Sequence, residues 1–565
     1  MSMRSRLSVL IAGTVLLAAG AAGLIHADAG LTSESTRVGG VPVEVVRSGG
    51  SHDDVGVRRP AVVVVHGYAG SGRLMRPFAD TLVRRGYVVL LPDLAGHGAN
   101  TRRLDVPSVI DPEIAGVVDY ARGLDDVDPD RIALLGHSMG AGAVVRVGAA
   151  DPRITATVAV SLPGVEAAPG PRRLLLLVGA LEPGGIRAAT ERAADSGPGS
   201  EDDRRLVIVP LVEHISVLFA PRTHREAASW LDAATDNTPP WTGIAPLRRV
   251  LSGTALLLGA LLLLIAAVAA TPRRRPAPGR DGPRAGRPGR DGVGADGPGR
   301  DEASAAPSAG SRGTSRIGQV WAAVRERAPI WVVAAVAGAP GVVGGALLSL
   351  VAAAPVTGYL IGYFALTGAV LTIAAPLLAA YARRNADGHT NPAGAPPSLA
   401  VPASPSWWPF GSRTVAAAAG STAAVRSGPG PRLWAVPASA VAGGVAVVVP
   451  VQLGLTLMVP YGDRWWLIAV LALATAALLH GARAVAGPGW DAGVLVLVCL
   501  PLPVAAVIGL APGFLMLIGP LVAVLFVLYV GLAALGRNAA WWHPVAAGAV
   551  MIAWPVAAAL PVSVS

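Results

Sequence analysis

A glycine-flanked serine stands where an apolar run gives way to a string of small residues. The run Ile132–Leu135 leads into Gly136-His137-Ser138-Met139-Gly140, which is followed by Ala-Gly-Ala. Gly-x-Ser-x-Gly between a strand and a helix is the sequence form of a nucleophile elbow, a turn so tight that its flanking positions must be nearly free of side chain. We therefore expect Ser138 to stand clear of the backbone at the end of a strand. Because the chain contains 69 glycines, this interpretation depends on finding partners for the serine elsewhere.

Short apolar runs alternate with helix-like stretches throughout residues 30–240, and charges are spread along the whole region. This alternation is typical of βα units built around a mainly parallel sheet. The predicted strands are 41–46, 61–65, 87–91, 131–135, 154–160, 174–178 and 206–209. The predicted helices are 73–85, 111–124 and 222–234, with Asp111 as the N-cap of the second.

A serine is a poor nucleophile unless a base takes its proton. His214 follows the last predicted strand, on the loop that leads into the last predicted helix, and we interpret it as that base. Its nearest rival, His224, lies within the helix itself. The other histidines near predicted strand ends are interpreted as parts of loops; they are His66, His97 and His137.

An acid is needed to hold the imidazole in the correct tautomer and to stabilise the imidazolium. Glu182 follows the predicted strand 174–178, from which a carboxylate can reach His214, and it is our first candidate. Glu166, after the preceding strand, is the alternative. The oxyanion formed on attack requires backbone N–H donors. We expect them from Met139 and from Tyr68, which lies in the turn after strand 61–65.

Several segments together resemble the α/β-hydrolase-fold serine hydrolases, near the dienelactone-hydrolase-like and esterase branches. The resemblance covers about residues 40–235 and is carried by Val65–Tyr68, Leu91–Gly98, Gly136–Gly140, Gly179–Glu182 and Glu213–Ile215. It implies a mainly parallel sheet with helices on both faces, and a Ser-His-acid triad. The acid is Glu where Asp is commoner, and dienelactone hydrolases proper use a Cys nucleophile, so that particular activity is not implied. The short, Pro/Gly-rich connection between strands 154–160 and 174–178 leaves no room for a cap, which predicts an open site.

The second half of the chain has the character of a membrane protein. Val250–Ala270 contains no charged residue and is followed by Arg273-Arg274-Arg275, which predicts a transmembrane helix with its C-terminal end in the cytoplasm. Residues 1–29 are either a secretory signal peptide or an uncleaved signal anchor. Further predicted spans bring the total to about nine; they are 329–353, 356–381, 434–458, 465–482, 492–510, 513–535 and 541–562.

The distribution of arginine orients these spans. Positive-inside logic puts the N-terminus and two Arg-rich linkers, 271–328 and 382–432, in the cytoplasm, the first as a disordered segment. The same logic puts the 30–240 domain and the loop 461–464 outside. The predicted organisation is therefore an extracytoplasmic domain, one helix at 250–270, two at 329–381 and about five in 433–565, an all-α multi-span region.

Composition excludes several chemistries. All 46 basic residues are arginine, so there is no Ser–Lys dyad, Schiff-base lysine or P-loop lysine. The single cysteine, Cys499, permits neither an intramolecular disulfide nor a Cys-based zinc site. No metal site or cofactor is expected. The arginines cluster in linkers and beside apolar runs, which suits orientation at a membrane better than nucleic-acid binding.

The sequence thus predicts a multi-pass cell-membrane protein with an extracytoplasmic serine hydrolase acting on carboxylic esters or thioesters. The expected partners are the lipid bilayer and an ester-bearing or lipid-like substrate; no protein partner can be named. Two alternatives stay open. One is a peptidase or acyltransferase on the same fold. The other is a transport or envelope-assembly protein with an accessory hydrolase domain, although few ionisable residues lie within the spans.

Overall fold

Eight strands form a single sheet in the computed structural model of the chain. The strands are β1 (Leu31–Val38), β2 (Val41–Ser48), β3 (Arg59–Val65), β4 (Val88–Pro92), β5 (Val127–His137), β6 (Ile154–Val160), β7 (Leu174–Gly179) and β8 (Arg204–Val209). Their spatial order is β1-β2-β4-β3-β5-β6-β7-β8. Strands β3 to β8 run parallel, whereas β2 pairs antiparallel with both β1 and β4. The predicted fold class, an α/β-hydrolase fold, is confirmed.

The structure describes residues 3–49, 57–270, 327–387 and 464–560, together with 448 and 450. Short gaps within these ranges fall at 105, 107–108, 165–169, 197–202, 245, 353–354, 488–489 and 536–541. Glu166, nearly all of both predicted linkers and most of the predicted span 434–458 therefore lie outside the described residues.

Helices cover both faces of the sheet. They are α2 (Arg76–Val83), α3 (Ile110–Arg122), α4 (Met139–Ala150), α5 (Gly184–Asp195) and α6 (Pro221–Ala234). Alternate residues of β3 point to opposite sides, as the pleat of a strand requires. Val62 and Val64 pack with α2 and α6, while Val63 and Val65 pack with α3 and α4. All seven predicted strands are present, and the apolar runs of β3, β4, β6 and β7 are explained by burial on both faces.

Two predictions at the level of single elements were wrong or incomplete. Strand β1 was missed because its sequence is polar and its surface mostly exposed. Asp111 is not the N-cap of α3: the helix begins at Ile110, after Val109, whose side chain makes no capping bond. The Asp111 carboxylate instead accepts two bonds of 2.7 Å from Arg146 on α4. Asp111 therefore forms a bidentate salt bridge between two helices and does not cap its own helix.

Apolar helices, most of them long, make up most of the rest of the described chain. They are α1 (Met3–Asp28), α7 (Arg248–Ala270), α8 (Ala328–Val351), α9 (Pro355–Asp387), α10 (Arg464–Ala486), α11 (Asp491–Cys499), α12 (Pro501–Val507), α13 (Leu515–Leu535) and α14 (Trp542–Ala559). Five of these are long and apolar enough to cross a membrane, namely α1, α8, α9, α10 and α14. The predicted span 492–510 is broken at Pro501 into α11 and α12, because proline cannot continue the hydrogen-bond ladder. Helix α9 continues to Asp387, past the predicted start of the second linker at 382.

A buried charge cluster ties helices α1 and α7 to the sheet domain. Asp80 on α2 accepts from Arg249 at 2.6 Å and from Arg76 at 3.3 Å. Arg249 also bonds Asp28, the last residue of α1, at 2.6 Å. Helices α1 and α7 pack side by side through glycine, since a Cβ on Gly20 would lie 2.7 Å from a backbone oxygen of α7. The first apolar helix is therefore packed into the rest of the molecule at both its middle and its end.

Candidate active site

The serine predicted to be the nucleophile lies at a sharp turn between β5 and α4. Ser138 has φ +53° and ψ −117°, in a region that a residue with a side chain seldom occupies. The two glycines of the motif are required by space: a Cβ on Gly136 would lie 2.3 Å from the oxygen of Gly140, and one on Gly140 would lie 2.5 Å from the oxygen of His66. The turn holds Ser138 partly exposed at the carboxyl end of the central strand.

The three residues predicted as nucleophile, base and acid come together as a linear hydrogen-bonded set. Nε2 of His214 lies 3.0 Å from Oγ of Ser138, and Nδ1 of His214 lies 2.8 Å from Oε2 of Glu182. The side chains of His214 and Glu182 are almost completely buried. Because an ionised carboxylate only accepts, Nδ1 carries the proton and Nε2 is left with a lone pair for the serine hydroxyl. The set has the arrangement that general-base activation of a serine requires.

The rival base lies elsewhere. His224, on α6, is fully buried, stacks on Phe78 with ring centroids 4.1 Å apart, and bonds Thr81 and the backbone oxygen of Leu218. Burial lowers the pKa of His224 to about 4, so the ring is neutral at physiological pH. It is a core residue that supports the packing of α6 on α2.

Two supporting residues were missed by the sequence interpretation. Ser161, directly after β6, donates its hydroxyl to Oε1 of Glu182, the carboxylate oxygen that does not face His214. Its φ of +55° directs the backbone into this unusual turn. His137, beside the nucleophile, donates from Nε2 to the backbone oxygen of His214 at 2.9 Å. Burial lowers the pKa of His137 to about 3, which keeps that donor ring neutral. Only their positions at strand ends could have signalled these roles.

The two predicted oxyanion donors flank the serine. Met139 is the first residue of α4, so its N–H has no acceptor within the helix and lies at the positive end of the helix dipole. Tyr68 follows Gly67, which packs against the elbow: a Cβ on Gly67 would lie 3.1 Å from Cβ of Ser138. Ala69, the next residue, has φ +59°, which turns the chain back at this point. The start of α4 and the residue before Tyr68 therefore both adjoin Ser138.

The loop after β4 braces the Tyr68 turn from behind. His66 donates from Nδ1 to the oxygen of Gly67 at 2.8 Å and accepts at Nε2 from the N–H of Leu94 at 3.1 Å. Burial lowers the pKa of His66, so this neutral tautomer persists. The ring of His97 lies against both turns, 5.0 Å from His66 and 5.6 Å from Tyr68 between ring centroids. The Asp-x-x-Gly-His-Gly segment thus supports the oxyanion side of the site.

Helices from the second half of the chain reach this same edge of the sheet. The ring of Phe514, which precedes α13, packs edge-on against Tyr68 with centroids 5.0 Å apart. The guanidinium of Arg464, the first residue of α10, donates from Nη1 to the oxygen of Gly98 at 2.7 Å and from Nη2 to the oxygen of Gly96. The described parts of the β6–β7 connection contain no helix, so no cap of the usual kind is seen there. The site is bounded on the Tyr68 side by the membrane-type helices.

Within the described ranges, no group of three or more His, Cys, Asp or Glu side chains could hold a metal ion. The groups gathered at Ser138 are a hydroxyl, an imidazole and a carboxylate.

The sheet order and the elbow define the class of protein: the part of the chain from Leu31 to Ala234 has the α/β-hydrolase fold. The model of the family described as serine aminopeptidase, S33, matches residues 56–194. Sequence relatives include the quorum-quenching protein AidA of Acinetobacter baumannii (strain MDR-ZJ06), 34% identical over 107 residues that make up 18% of this chain and 35% of that protein. An uncharacterised protein of Mycobacterium tuberculosis is 36% identical over 104 residues, 18% of this chain and 36% of that protein. The chain thus spans little more than a third of the length of these relatives.

Similar solved structures include a protein described as a dienelactone hydrolase from Klebsiella pneumoniae, with a TM-score of 0.29 and 17% identity over 37% of this chain and 99% of that one. A CIB-like hydrolase from Thermoplasma acidophilum has a TM-score of 0.30 and 20% identity, over 36% of this chain and 98% of that one.

Proposed function

We propose that this protein is a membrane-anchored serine hydrolase that cleaves carboxylic ester or thioester bonds at the outer face of the membrane. The single observation that carries the proposal is the hydrogen-bonded line from Ser138 through His214 to Glu182. It is strengthened by the strained backbone of Ser138, since strain at a residue with a side chain is a feature of functional sites.

The geometry suits a two-step acyl transfer. Oγ of Ser138 attacks the carbonyl carbon while Nε2 of His214 takes its proton, and the carbonyl oxygen becomes an anion facing the N–H groups of Met139 and Tyr68. Collapse of this intermediate expels the alcohol or thiol, which takes the proton from His214. Water then attacks the acyl-serine with His214 again as base, releasing the acid and restoring the free hydroxyl. Glu182 stays ionised throughout and stabilises the imidazolium.

The membrane anchor includes helix α1. Ala27, in the A-x-A-like segment, is buried, and the Asp28 carboxylate is 2.6 Å from Arg249. Removing α1 at that segment would uncover the α7 face and leave Arg249 with one fewer acid. These contacts favour an uncleaved signal anchor over a cleaved signal peptide, and an N-terminal epitope tag retained on the full-length protein in membranes would support it. The helix ends that touch the hydrolase domain, at Arg464 and Phe514, are ones that the distribution of arginine assigns to the outer face.

The substrate we favour is an acyl ester presented at the membrane surface. Leu181 and Leu211 lie on the loops that carry Glu182 and His214, and they are 63% and 87% exposed. These loops follow β7 and β8 and so share the sheet edge that faces Arg464 and Phe514. Exposed leucines beside a catalytic serine are suited to contact with acyl chains.

Leu211 provides a clean test of this substrate class. Its φ of +61° is unfavourable for leucine but tolerable for asparagine. Leu211→Asn is therefore expected to preserve stability while lowering hydrolysis of a long-chain ester embedded in vesicles, with a soluble short-chain p-nitrophenyl ester hydrolysed at the wild-type rate. An equal loss of activity on both substrates, or no loss on either, would argue against access of lipid beside Leu181 and Leu211.

The activity itself is tested by labelling membranes with a fluorophosphonate probe. The wild-type protein should be labelled, Ser138→Ala should take no label, and His214→Ala should take very little. Ser196→Ala, which removes an exposed serine, is the matched control and should be labelled normally. An unlabelled wild type, or a Ser138→Ala protein labelled as strongly as the wild type, would refute the proposal.

A peptidase is the second candidate, because the family model that matches residues 56–194 is described as a serine aminopeptidase. The same triad can cleave amides, and the two activities are separated by substrate. Faster turnover of aminoacyl p-nitroanilides than of matched p-nitrophenyl esters would favour the peptidase.

A further inference from the structure

The N-terminus of helix α10 inserts a buried cation into the hydrolase domain. Arg464 is only 3% exposed, and its two terminal nitrogens bond the backbone oxygens of Gly96 and Gly98. Among the described residues no carboxylate forms a salt bridge with it, and the charge of Asp93, on the same loop, acts on it without a direct bond. A buried guanidinium without a direct acid partner is costly, and a cation at the first turn of a helix also opposes the helix dipole. Helix stability therefore does not explain why a buried arginine begins α10, whereas its contact with the loop does.

The loop that Arg464 binds packs against the turn that contains Tyr68, the predicted oxyanion donor. His97 lies between Gly96 and Gly98, and its ring packs on those of His66 and Tyr68. The loop also supplies the Leu94 N–H that fixes the tautomer of His66. A displacement of the loop would pass directly to the Tyr68 turn.

A second contact from the second half of the chain, made by Phe514, holds the Tyr68 turn directly. Phe514 packs edge-on against the Tyr68 ring, and both Tyr68 and Ala69 pack on the apolar core of the membrane-type helices. Arg464 begins α10 and Phe514 precedes α13, yet Arg464 holds the loop that supports the Tyr68 turn and Phe514 packs on Tyr68 itself. Met139, the other oxyanion donor, needs no such support because helix α4 fixes it.

We infer that Arg464, together with Phe514, is a positioning residue for the oxyanion side of the site, so that the membrane half completes the active site. The inference rests on the proposed serine-hydrolase function. Stabilisation of the oxyanion requires donors about 3 Å from the developing charge, and a shift of about 1 Å can lower the rate about 100-fold. If the hydrogen bonds from Arg464 to Gly96 and Gly98 are lost, the rate of the chemical step should therefore fall while the affinity for substrate stays unchanged.

The experiment uses the full-length protein in nanodiscs and four variants. Arg464→Met removes both donors, Arg464→Lys keeps the charge but cannot span two oxygens in the same way, and Phe514→Ala removes the packing on Tyr68. The fourth, Trp466→Leu, is the matched control, because Trp466 is exposed at the same end of α10. Two quantities are measured: amide hydrogen exchange of peptides covering 66–72 and 93–100, and the rate constant and affinity of fluorophosphonate inactivation.

Arg464→Met should increase exchange in both peptides and lower the maximal inactivation rate between about 10- and 100-fold, with the affinity for the probe unchanged. Arg464→Lys should recover part of the rate, and Trp466→Leu should match the wild type. Because both side chains hold one turn, combining Arg464→Met with Phe514→Ala should cost less than the product of the single effects.

The outcomes separate the two proposals. If the wild type is labelled and Arg464→Met keeps both the exchange and the inactivation rate of the wild type, the positioning role is refuted and the serine-hydrolase function stands. Unchanged exchange in both peptides refutes it whatever the labelling shows. If no protein is labelled, although Arg464→Met loosens both turns, the proposed function fails, and the catalytic part of this inference fails with it.

Discussion

Replacing Glu182 by glutamine tests the triad through an orientation that the structure dictates. Ser161 donates to Oε1 of Glu182, while Oε2 faces Nδ1 of His214 at 2.8 Å. In Glu182→Gln the amide oxygen should stay with the Ser161 hydroxyl, which places the NH₂ group against His214. Nδ1 must then accept, the proton moves to Nε2, and His214 can no longer take the proton of Ser138.

The wrong tautomer in a serine triad lowers kcat by about 10⁴, equivalent to about 5.5 kcal/mol of transition-state stabilisation. The assay is kcat for a short-chain p-nitrophenyl ester, with thermal unfolding to verify the fold. Glu166→Gln, at the alternative acid, is the control and should retain wild-type activity.

The double variant Ser161→Ala/Glu182→Gln sharpens the test. Without the Ser161 hydroxyl the amide can rotate and present its oxygen to His214, so the double variant should be more active than Glu182→Gln alone. A single variant within tenfold of the wild type would refute Glu182 as the acid. A double variant no better than the single one would refute the orientation argument.

Three further predictions concern stability. Gly136→Ala should destabilise the fold by about 3 kcal/mol, because its Cβ would lie 2.3 Å from the backbone oxygen of Gly140. Gly142→Ala should stay within about 1 kcal/mol of the wild type in thermal unfolding, because its Cβ would come no closer than 3.4 Å to the end of Arg146 and 3.8 Å to the oxygen of Gly164. Asp80→Asn should cost about 1–3 kcal/mol, since Arg76 and Arg249 lose a shared buried carboxylate but keep Glu44 and Asp28 as partners; a wild-type unfolding temperature would contradict this. The pKa of His224 is lowered to about 4 by burial, so the unfolded chain takes up its proton first, and stability should fall by up to about 3 kcal/mol as pH drops from about 6.5 to 4. This fall should be shallower in His224→Leu, and an unchanged slope would exclude His224 as its source.

The α/β fold could be predicted because its signals are local. The central parallel strands are apolar runs buried on both faces, and the Gly-x-Ser-x-Gly motif of the elbow lies within five consecutive residues. Strand β1 was not predicted because a polar, exposed edge strand contains no apolar run. Its pairing with β2 is set by the hairpin that joins them.

The candidate triad was found through chain order, since base and acid follow particular strands. Its supports could not be found in that way. The bond from Ser161 to Glu182 and the bond from His137 to the backbone of His214 depend on how loops from different strands converge. No spacing in the sequence encodes such a contact, and a serine after a strand is common.

The relation between the two halves of the chain was the least accessible feature, and it changes how the site is understood. The short connection between β6 and β7 predicts an open site, but two attachments restrict that openness. The cluster around Asp80 fixes α1 and α7 beside α2, and Arg464 grips the loop after β4. Two separated attachments prevent the hydrolase domain from turning away from the helices. We therefore expect substrate to approach Ser138 from the side of Leu181 and Leu211, away from Tyr68, which would give the helices a part in orienting the proposed active site.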